Sequence, residues 1–239
     1  MAILCLSIPC KGDDTAIFYN VFIPYPGSTD TNVTEQQAME IVREQIDYRE
    51  SSITSNIPLY YVTIGKNIGE LECTNCHKID HYNEGTEIDT LSHLYEYCTI
   101  HQNSKVVYMH NKGSFHYSER NNRFRRMLTK AIFSYDCLHL KTPADPPSSL
   151  RSNDSGCECN ICSARFSPIP YHYMSGNMWV AQCSYVSKLL HPTKIESEID
   201  AMILSVPIAK FGNIQERRKC EIGGNRCSHE HWLSTHPDR

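Results

Sequence analysis

Short apolar runs alternate with amphipathic stretches through the first half of the chain. Residues 16–23, Ala-Ile-Phe-Tyr-Asn-Val-Phe-Ile, are rich in β-branched and aromatic types and stop at Pro24, Pro26 and Gly27, which predicts a buried strand and then a turn. Thr34 with Gln37 three residues on makes a capping box, and Ala38, Ile41, Val42, Ile46 and Ile53 recur at helical spacing. Residues 59–64, Leu-Tyr-Tyr-Val-Thr-Ile, repeat the strand pattern and close at Gly65. A polar stretch holding Cys73, Cys76, His77 and His81 leads to a second helix marked by Ile88, Leu91, Leu94, Tyr95 and Cys98. Lys105 to His110 predicts a third strand running into Asn111-Lys-Gly-Ser114, and Phe124, Met127, Leu128, Ala131 and Ile132 mark a third helix over residues 119–133.

Strands alternating with helices in this way predict βαβ crossovers, hence an α/β fold with a doubly wound, mostly parallel sheet flanked by helices. Ligands of such sheets bind beyond the carboxyl ends of the strands, so chemistry is expected after Ile23, Ile64 and His110. Residues 141–170 carry Pro143, Pro146, Pro147, Pro168 and Pro170 among Ser, Asn, Asp and Cys, the composition of a loop or a disulfide-pinned connector. Residues 171–181 are then expected to open a helix reaching Leu190, and Met202 to Ala209 reads as strand-like before a polar C-terminus. The length, 239 residues, suits a single domain over residues 1–239, with residues 1–15 an N-terminal extension or a truncated stem.

Composition adds exclusions. Lys and Arg number 23 against 27 Asp and Glu, net −4, so no global field draws nucleic acid or an anionic membrane, and no nucleic-acid partner is expected. The basic run Arg120, Arg123, Arg125, Arg126 and Lys130 reads as a solvated helix face. No window approaches the roughly 18–20 apolar residues of a membrane span. The start, Met1 to Pro9, lacks a basic n-region, so a secretory origin would require an anchor that this chain does not carry. The sequons Asn32-Val-Thr34 and Asn153-Asp-Ser155 lie in polar stretches. The twelve cysteines leave three states open: disulfides, zinc and free thiols. Cys73-x-x-Cys76-His77 and Cys157-x-Cys159-x-x-Cys162 have spacings that suit thiolate ligation, but neither has a clear second half, and an even count favours disulfides.

Familiar catalytic signatures are missing: there is no Walker A lysine loop, G-x-G-x-x-G, His-Glu-x-x-His or G-x-S-x-G. Two segments stand out instead. His110-Asn-Lys-Gly-Ser-Phe-His116 places a flexible turn with exposed N–H groups beside a Lys ammonium at a strand end, a cradle for phosphate or diphosphate and equally the pattern of a plain turn with a solvated lysine. His172-Tyr-Met-Ser-Gly-Asn-Met-Trp179 puts small residues next to an amide and an indole, the materials of a sugar site, or else a helix start capped by Ser175 or Asn177 with Trp179 in the core.

Together, Tyr108-Met-His-Asn-Lys-Gly113, His172-Tyr-Met-Ser-Gly-Asn-Met-Trp-Val-Ala181 and the C-terminal Glu230-His-Trp-Leu-Ser-Thr-His-Pro237 resemble a group of glycosyltransferase-like proteins of the GT-A, nucleotide-diphospho-sugar transferase type, found mostly in protists, algae and bacteria. The resemblance spans about Phe18 to His236. It implies a GT-A-like fold, a UDP- or GDP-sugar donor, a glycan or protein acceptor, and a Golgi or secretory lumen. Binding residues by this resemblance are His110, Asn111, Lys112, Gly113, His116, His172, Ser175, Gly176, Asn177 and Trp179. GT-A enzymes usually hold Mn²⁺ or Mg²⁺ with Asp-x-Asp at a central strand end, where this chain has His110-Asn111-Lys112. Either Lys112 replaces the metal against the leaving diphosphate, or His110 and Asn111 ligate one weakly. The base for an acceptor hydroxyl is drawn from Glu230, Glu196, Glu198 and Asp200, with Glu230 preferred for its place beside Trp232. Two rival classes remain: a non-catalytic carbohydrate- or partner-binding domain, and a zinc-stabilised interaction module.

Overall fold

The structure is a computed structural model that describes residues 15–29, 31–140, 159–167, 173–205 and 225–237. Strand β1 (Thr15–Ile23) is the centre of the sheet; β2 (Leu59–Gly65), β3 (Cys76–Tyr82) and β4 (Lys105–His110) join it in the parallel order β3-β2-β1-β4. Helix α1 (Glu35–Glu50) makes the crossover from β1 to β2 and α2 (Glu87–Ile100) that from β3 to β4, β2 and β3 are joined without a helix, and α3 (Glu119–Ile132) and a short α4 (Tyr135–Leu138) follow β4. Two antiparallel strands then extend the sheet beyond β4: β8 (Trp179–Gln182) pairs with β4 and β5 (Ile161–Cys162) with β8. A separate hairpin of β6 (Phe166–Ser167) and β7 (Tyr173–Met174) lies outside this six-stranded mixed sheet.

Alternation along β1 and β4 explains why the sheet is covered on both faces. Ile17, Tyr19, Val21 and Ile23 of β1, with Val107 and Met109 of β4, pack against Ala38, Val42 and Ile46 of α1 and Leu128 and Ile132 of α3. The intervening Ala16, Phe18, Val106 and Tyr108 pack on the other face against Leu91, Leu94 and Cys98 of α2. On that second face the core continues into Trp179 and Ala181 of β8, Cys183 and Val186 of α5 (Cys183–Val186), Ile195 and Ile199 of α6 (Ile195–Ser205), and Trp232 of a 3-10 segment, Asn225–Thr235. The α/β class and the two covered faces agree with the sequence reading.

Helix α1 begins where its cap predicts, and the structure adds a second box that the sequence reading did not name. Thr34 and Gln37 form a reciprocal capping box on α1, and Thr86 with Asp89 does the same for α2. Helix α1 ends at Ser51, so Ile53, expected on its apolar stripe, lies beyond it and is 66% exposed. Arg125 departs from the solvated basic face: it is buried between α3 and α1, where its guanidinium reaches Glu44, Asn122 and the Lys112 carbonyl.

Three further expectations are corrected. The polar stretch from Cys76 to Tyr82 is strand β3, a half-buried edge strand whose register comes from β2 rather than from an apolar run. The helix expected from residue 171 to Leu190 is instead β7, a turn, β8 and the short α5, because Trp179 to Gln182 pairs antiparallel with Tyr108 to Lys105. The strand-like Met202 to Ala209 is helical as far as Ser205, as the end of α6, and its remainder lies outside the described residues. Residues 1–14, most of the 141–170 connector and Asn153 also lie outside them.

Among the described residues the cysteines are joined as Cys73–Cys76, Cys98–Cys183 and Cys137–Cys162, and Cys159 is an exposed free thiol. The zinc alternative is thereby corrected for the Cys73 cluster and for Cys98, Cys162 and Cys183, whose sulfurs are bonded to one another in pairs. Disulfides persist in oxidising compartments, which is compatible with a secreted or lumenal protein. Among the described residues no helix is long and apolar enough to cross a membrane.

Candidate functional site

The order β3-β2-β1-β4 reverses direction between β1 and β4, the switch point at which open α/β sheets form their ligand crevice, beyond the carboxyl ends of the strands. Asn111, the first residue past β4, ties the two strands together there: its Nδ2 donates to the Phe22 carbonyl at 2.7 Å and its Oδ1 accepts from the Phe22 N–H at 2.9 Å. The amide therefore continues the β1–β4 ladder with a side chain, and it is buried. Beyond it, Gly113 takes φ +98° in a turn closed by the Ser114 N–H on the Asn111 carbonyl at 3.0 Å, a conformation that favours glycine.

One face of β4 reads Val106, Tyr108, His110, apolar then amphipathic then polar, and its outer members meet the first residue of α2. The Tyr108 hydroxyl donates to Glu87 Oε2 at 2.9 Å, and Asn177 Nδ2 donates to the same oxygen at 2.6 Å. His110 Nδ1 lies 3.3 Å from Glu87 Oε1. Its Nε2 is 2.9 Å from the Gly176 carbonyl, which can only accept, so that nitrogen carries a proton. Asn177 in turn accepts from Trp179 Nε1 at 2.9 Å, and the Gly176 N–H donates to Glu230 Oε1 at 2.9 Å. One network thus ties α2, β4, the turn before β8 and the C-terminal 3-10 segment.

Its electrostatics follow from burial and charge. Burial by itself would raise Glu87, but the His110 and His229 imidazoles and the Asn177 and Tyr108 donors outweigh it and hold the carboxyl below its ordinary range. The helix N-terminus acts in the same sense. Burial, aided by Lys112 and His229 and opposed by Glu87, holds His110 below the usual histidine range. Burial and the Glu87 charge push Tyr108 well up, so its phenol stays a donor. His229 is 2% exposed, and its Nε2 meets no hydrogen-bond partner among the described residues.

The turn between β7 and β8 is shaped by close packing. Gly176 has φ +86°, and a Cβ there would stand 2.6 Å from Leu128 Cδ1 and 2.9 Å from Phe124 Cε1. Phe124 is also where two cations converge: Lys112 Nζ lies 5.6 Å and the Arg165 guanidinium 5.7 Å from its ring centroid. Two like charges against one ring raise the local positive potential, which favours an anion nearby.

The structure thus brings together His110, Gly176, Asn177, Trp179 and Glu230 in one hydrogen-bonded network, and it places Lys112 and Gly113 beside them. Asn111 bonds the β1 backbone, and Trp179 is fully buried, its ring tilted against those of Tyr108 and Trp232 with centroids at 5.3 and 5.9 Å. His116 stands apart on an exposed loop against Phe115, and the Ser175 N–H bonds the Arg165 carbonyl. Glu196, Glu198 and Asp200 lie on α6. His172 lies outside the described residues. Sequence reasoning missed Glu87, His229 and Arg165, and it quoted Tyr108 in a motif without assigning it to the site. Of the three, Glu87 alone had a local signal, a carboxylate directly after the Thr86 cap of α2.

The chain belongs to the DUF8361 family, a domain of unknown function whose model matches residues 18–239. No curated protein and no solved structure matches it.

Proposed function

We propose that this family member is a glycosyltransferase that moves a sugar from a nucleotide-sugar donor to a glycan or protein acceptor in the Golgi or another secretory lumen. The observation that carries the reading is the pair of cations, Lys112 and Arg165, set against Phe124 beside the Gly113 turn at the switch point of the sheet. A diphosphate is the ligand class that such a cationic turn serves. In this reading the acceptor oxygen attacks the anomeric carbon, the bond from that carbon to the diphosphate oxygen breaks, and the electron pair leaves on the diphosphate, which Lys112 and Arg165 neutralise. Glu230 takes the acceptor proton. Glu87 is the poorer base, because the Tyr108 hydroxyl and the Asn177 amide already donate to its Oε2.

The donor set argues against a divalent ion held by His110 and Asn111. Asn111 Oδ1 is already engaged by the Phe22 N–H, which leaves of this pair only the His110 Nδ1, facing Glu87, with a lone pair to offer. The lysine arrangement is therefore the one proposed. Assays of nucleotide-sugar hydrolysis and transfer with UDP- and GDP-sugars test it: turnover without added metal that disappears in Lys112→Ala supports the reading, and strict Mn²⁺ dependence with a tolerant Lys112→Ala contradicts it.

A second reading, a carbohydrate- or partner-binding domain without catalysis, draws on the engagement of the carboxylates. Glu87 and Glu230 both accept internal hydrogen bonds. Donor binding with neither hydrolysis nor transfer would favour it.

A further inference from the structure

At the opposite end of the sheet, before β3, the disulfide Cys73–Cys76 closes a ring of four residues, and it differs in setting from the other two bridges. Cys98–Cys183 joins two fully buried residues 85 apart in sequence, and Cys137, 4% exposed, is bridged to Cys162 across 25. Cross-links over such separations constrain the unfolded chain, whereas a bridge three residues apart removes little of its freedom. Cys73 and Cys76 are only half-buried, flanked by exposed Glu72, Thr74, Asn75 and His77. Beneath the ring the fully buried Arg49 donates from one guanidinium nitrogen to the Thr74 carbonyl at 2.9 Å and to Cys76 Sγ at 3.9 Å. Glu50 shares that guanidinium at 2.6 Å and holds the Thr74 N–H and hydroxyl, so the ring is clamped whatever the state of its sulfurs.

We propose that Cys73 and Cys76 form a thiol–disulfide exchange site that takes two electrons from a dithiol. The thiolate of the dithiol attacks Cys73 Sγ, the bond to Cys76 breaks, and the electron pair leaves on Cys76 Sγ, where the Arg49 N–H stabilises the thiolate. The second thiol then attacks the dithiol's own sulfur in the mixed disulfide. This releases Cys73 and leaves the dithiol oxidised to a disulfide, its two protons passing to the cysteines or to solvent. The site is independent of the glycosyltransferase reading, since it lies at the amino end of the strands.

The test uses the full chain equilibrated with graded ratios of reduced to oxidised dithiothreitol, quenched, alkylated and read peptide by peptide. Cys73 and Cys76 are expected to be alkylated together at a ratio at least about tenfold lower than Cys98 and Cys183, a difference of roughly 30 mV for a two-electron couple. In Cys73→Ser, the pH dependence of Cys76 alkylation is expected to show a thiol that ionises below the ordinary value of about 8.5. Reduction of Cys73–Cys76 together with or after Cys98–Cys183, or a Cys76 thiol ionising at or above that value, would overturn the proposal.

Discussion

The parallel half of the sheet, β3 to β4, and the antiparallel flank of β8, β5, the β6–β7 hairpin and the C-terminal 3-10 segment are built on different principles. In the parallel half two crossover helices, α1 and α2, cover opposite faces, and apolar residues of β1, β2 and β4 fill both faces. The flank has strands of two to four residues, too short to define themselves. It is held by two indoles, Trp179 and Trp232, and by the polar network through Glu87, Asn177 and Glu230. The local pattern makes the scaffold, and long-range assembly makes the site.

That difference sets what each substitution should do. Trp179→Ala has the largest expected effect: deleting a fully buried indole between Tyr108 and Trp232 should cost about 3–5 kcal/mol in urea unfolding. A loss under about 1 kcal/mol would mean that the flank does not depend on its indoles.

Glu87→Gln comes next. It keeps the shape and removes the charge that the Tyr108 hydroxyl and the Asn177 amide face, with an expected loss of about 1–3 kcal/mol. The same network predicts the pH dependence. The folded state binds the His110 proton less readily than the unfolded chain, so the unfolded state carries more protons once the pH falls below the ordinary histidine value of about 6.5. Stability is therefore expected to decline with acidification from there. Glu87, held below its ordinary value, adds a second decline below about pH 4.5, again because the unfolded state takes the proton first. Chemical denaturation across pH 4–8 measures both limbs. His110→Gln should flatten the upper one, and an unchanged upper limb would assign it to another histidine.

The smallest effect belongs to the parallel half. Lys66→Ala removes the pair with Glu35, whose side chains are 37% and 35% exposed, and should change stability by less than about 1 kcal/mol. A larger loss would show that the scaffold rests on surface charge rather than on its two apolar faces.

The same contrast explains what could be read from the sequence. Strands β1, β2 and β4 and helices α1 to α3 were legible, because each carries its own apolar period and, for α1, a cap. Strand β3, Cys-His-Lys-Ile-Asp-His-Tyr, was not: an edge strand covered on few sides needs no hydrophobic run. Strand β8 was mistaken for a helix start, because four residues hold no period and its pairing partner lies more than seventy residues earlier in the chain. Within the site, His110, Lys112 and Asn177 were found through their neighbours in sequence. Glu87 looked like an ordinary first-turn carboxylate, and its role depends on Tyr108 and Asn177, 21 and 90 residues away.

The central claim is that the cationic turn at the switch point takes a nucleotide diphosphate-sugar. Thermal unfolding with UDP- and GDP-sugars, each with and without Mn²⁺, tests it most directly. A donor at roughly 100 times its dissociation constant adds about 2.7 kcal/mol, which for a chain of this size raises the midpoint by about 5–10 °C. The account predicts such a rise with one nucleotide, independent of Mn²⁺ and lost in Lys112→Ala. No rise with any donor, or a rise that needs Mn²⁺ and survives Lys112→Ala, would contradict it.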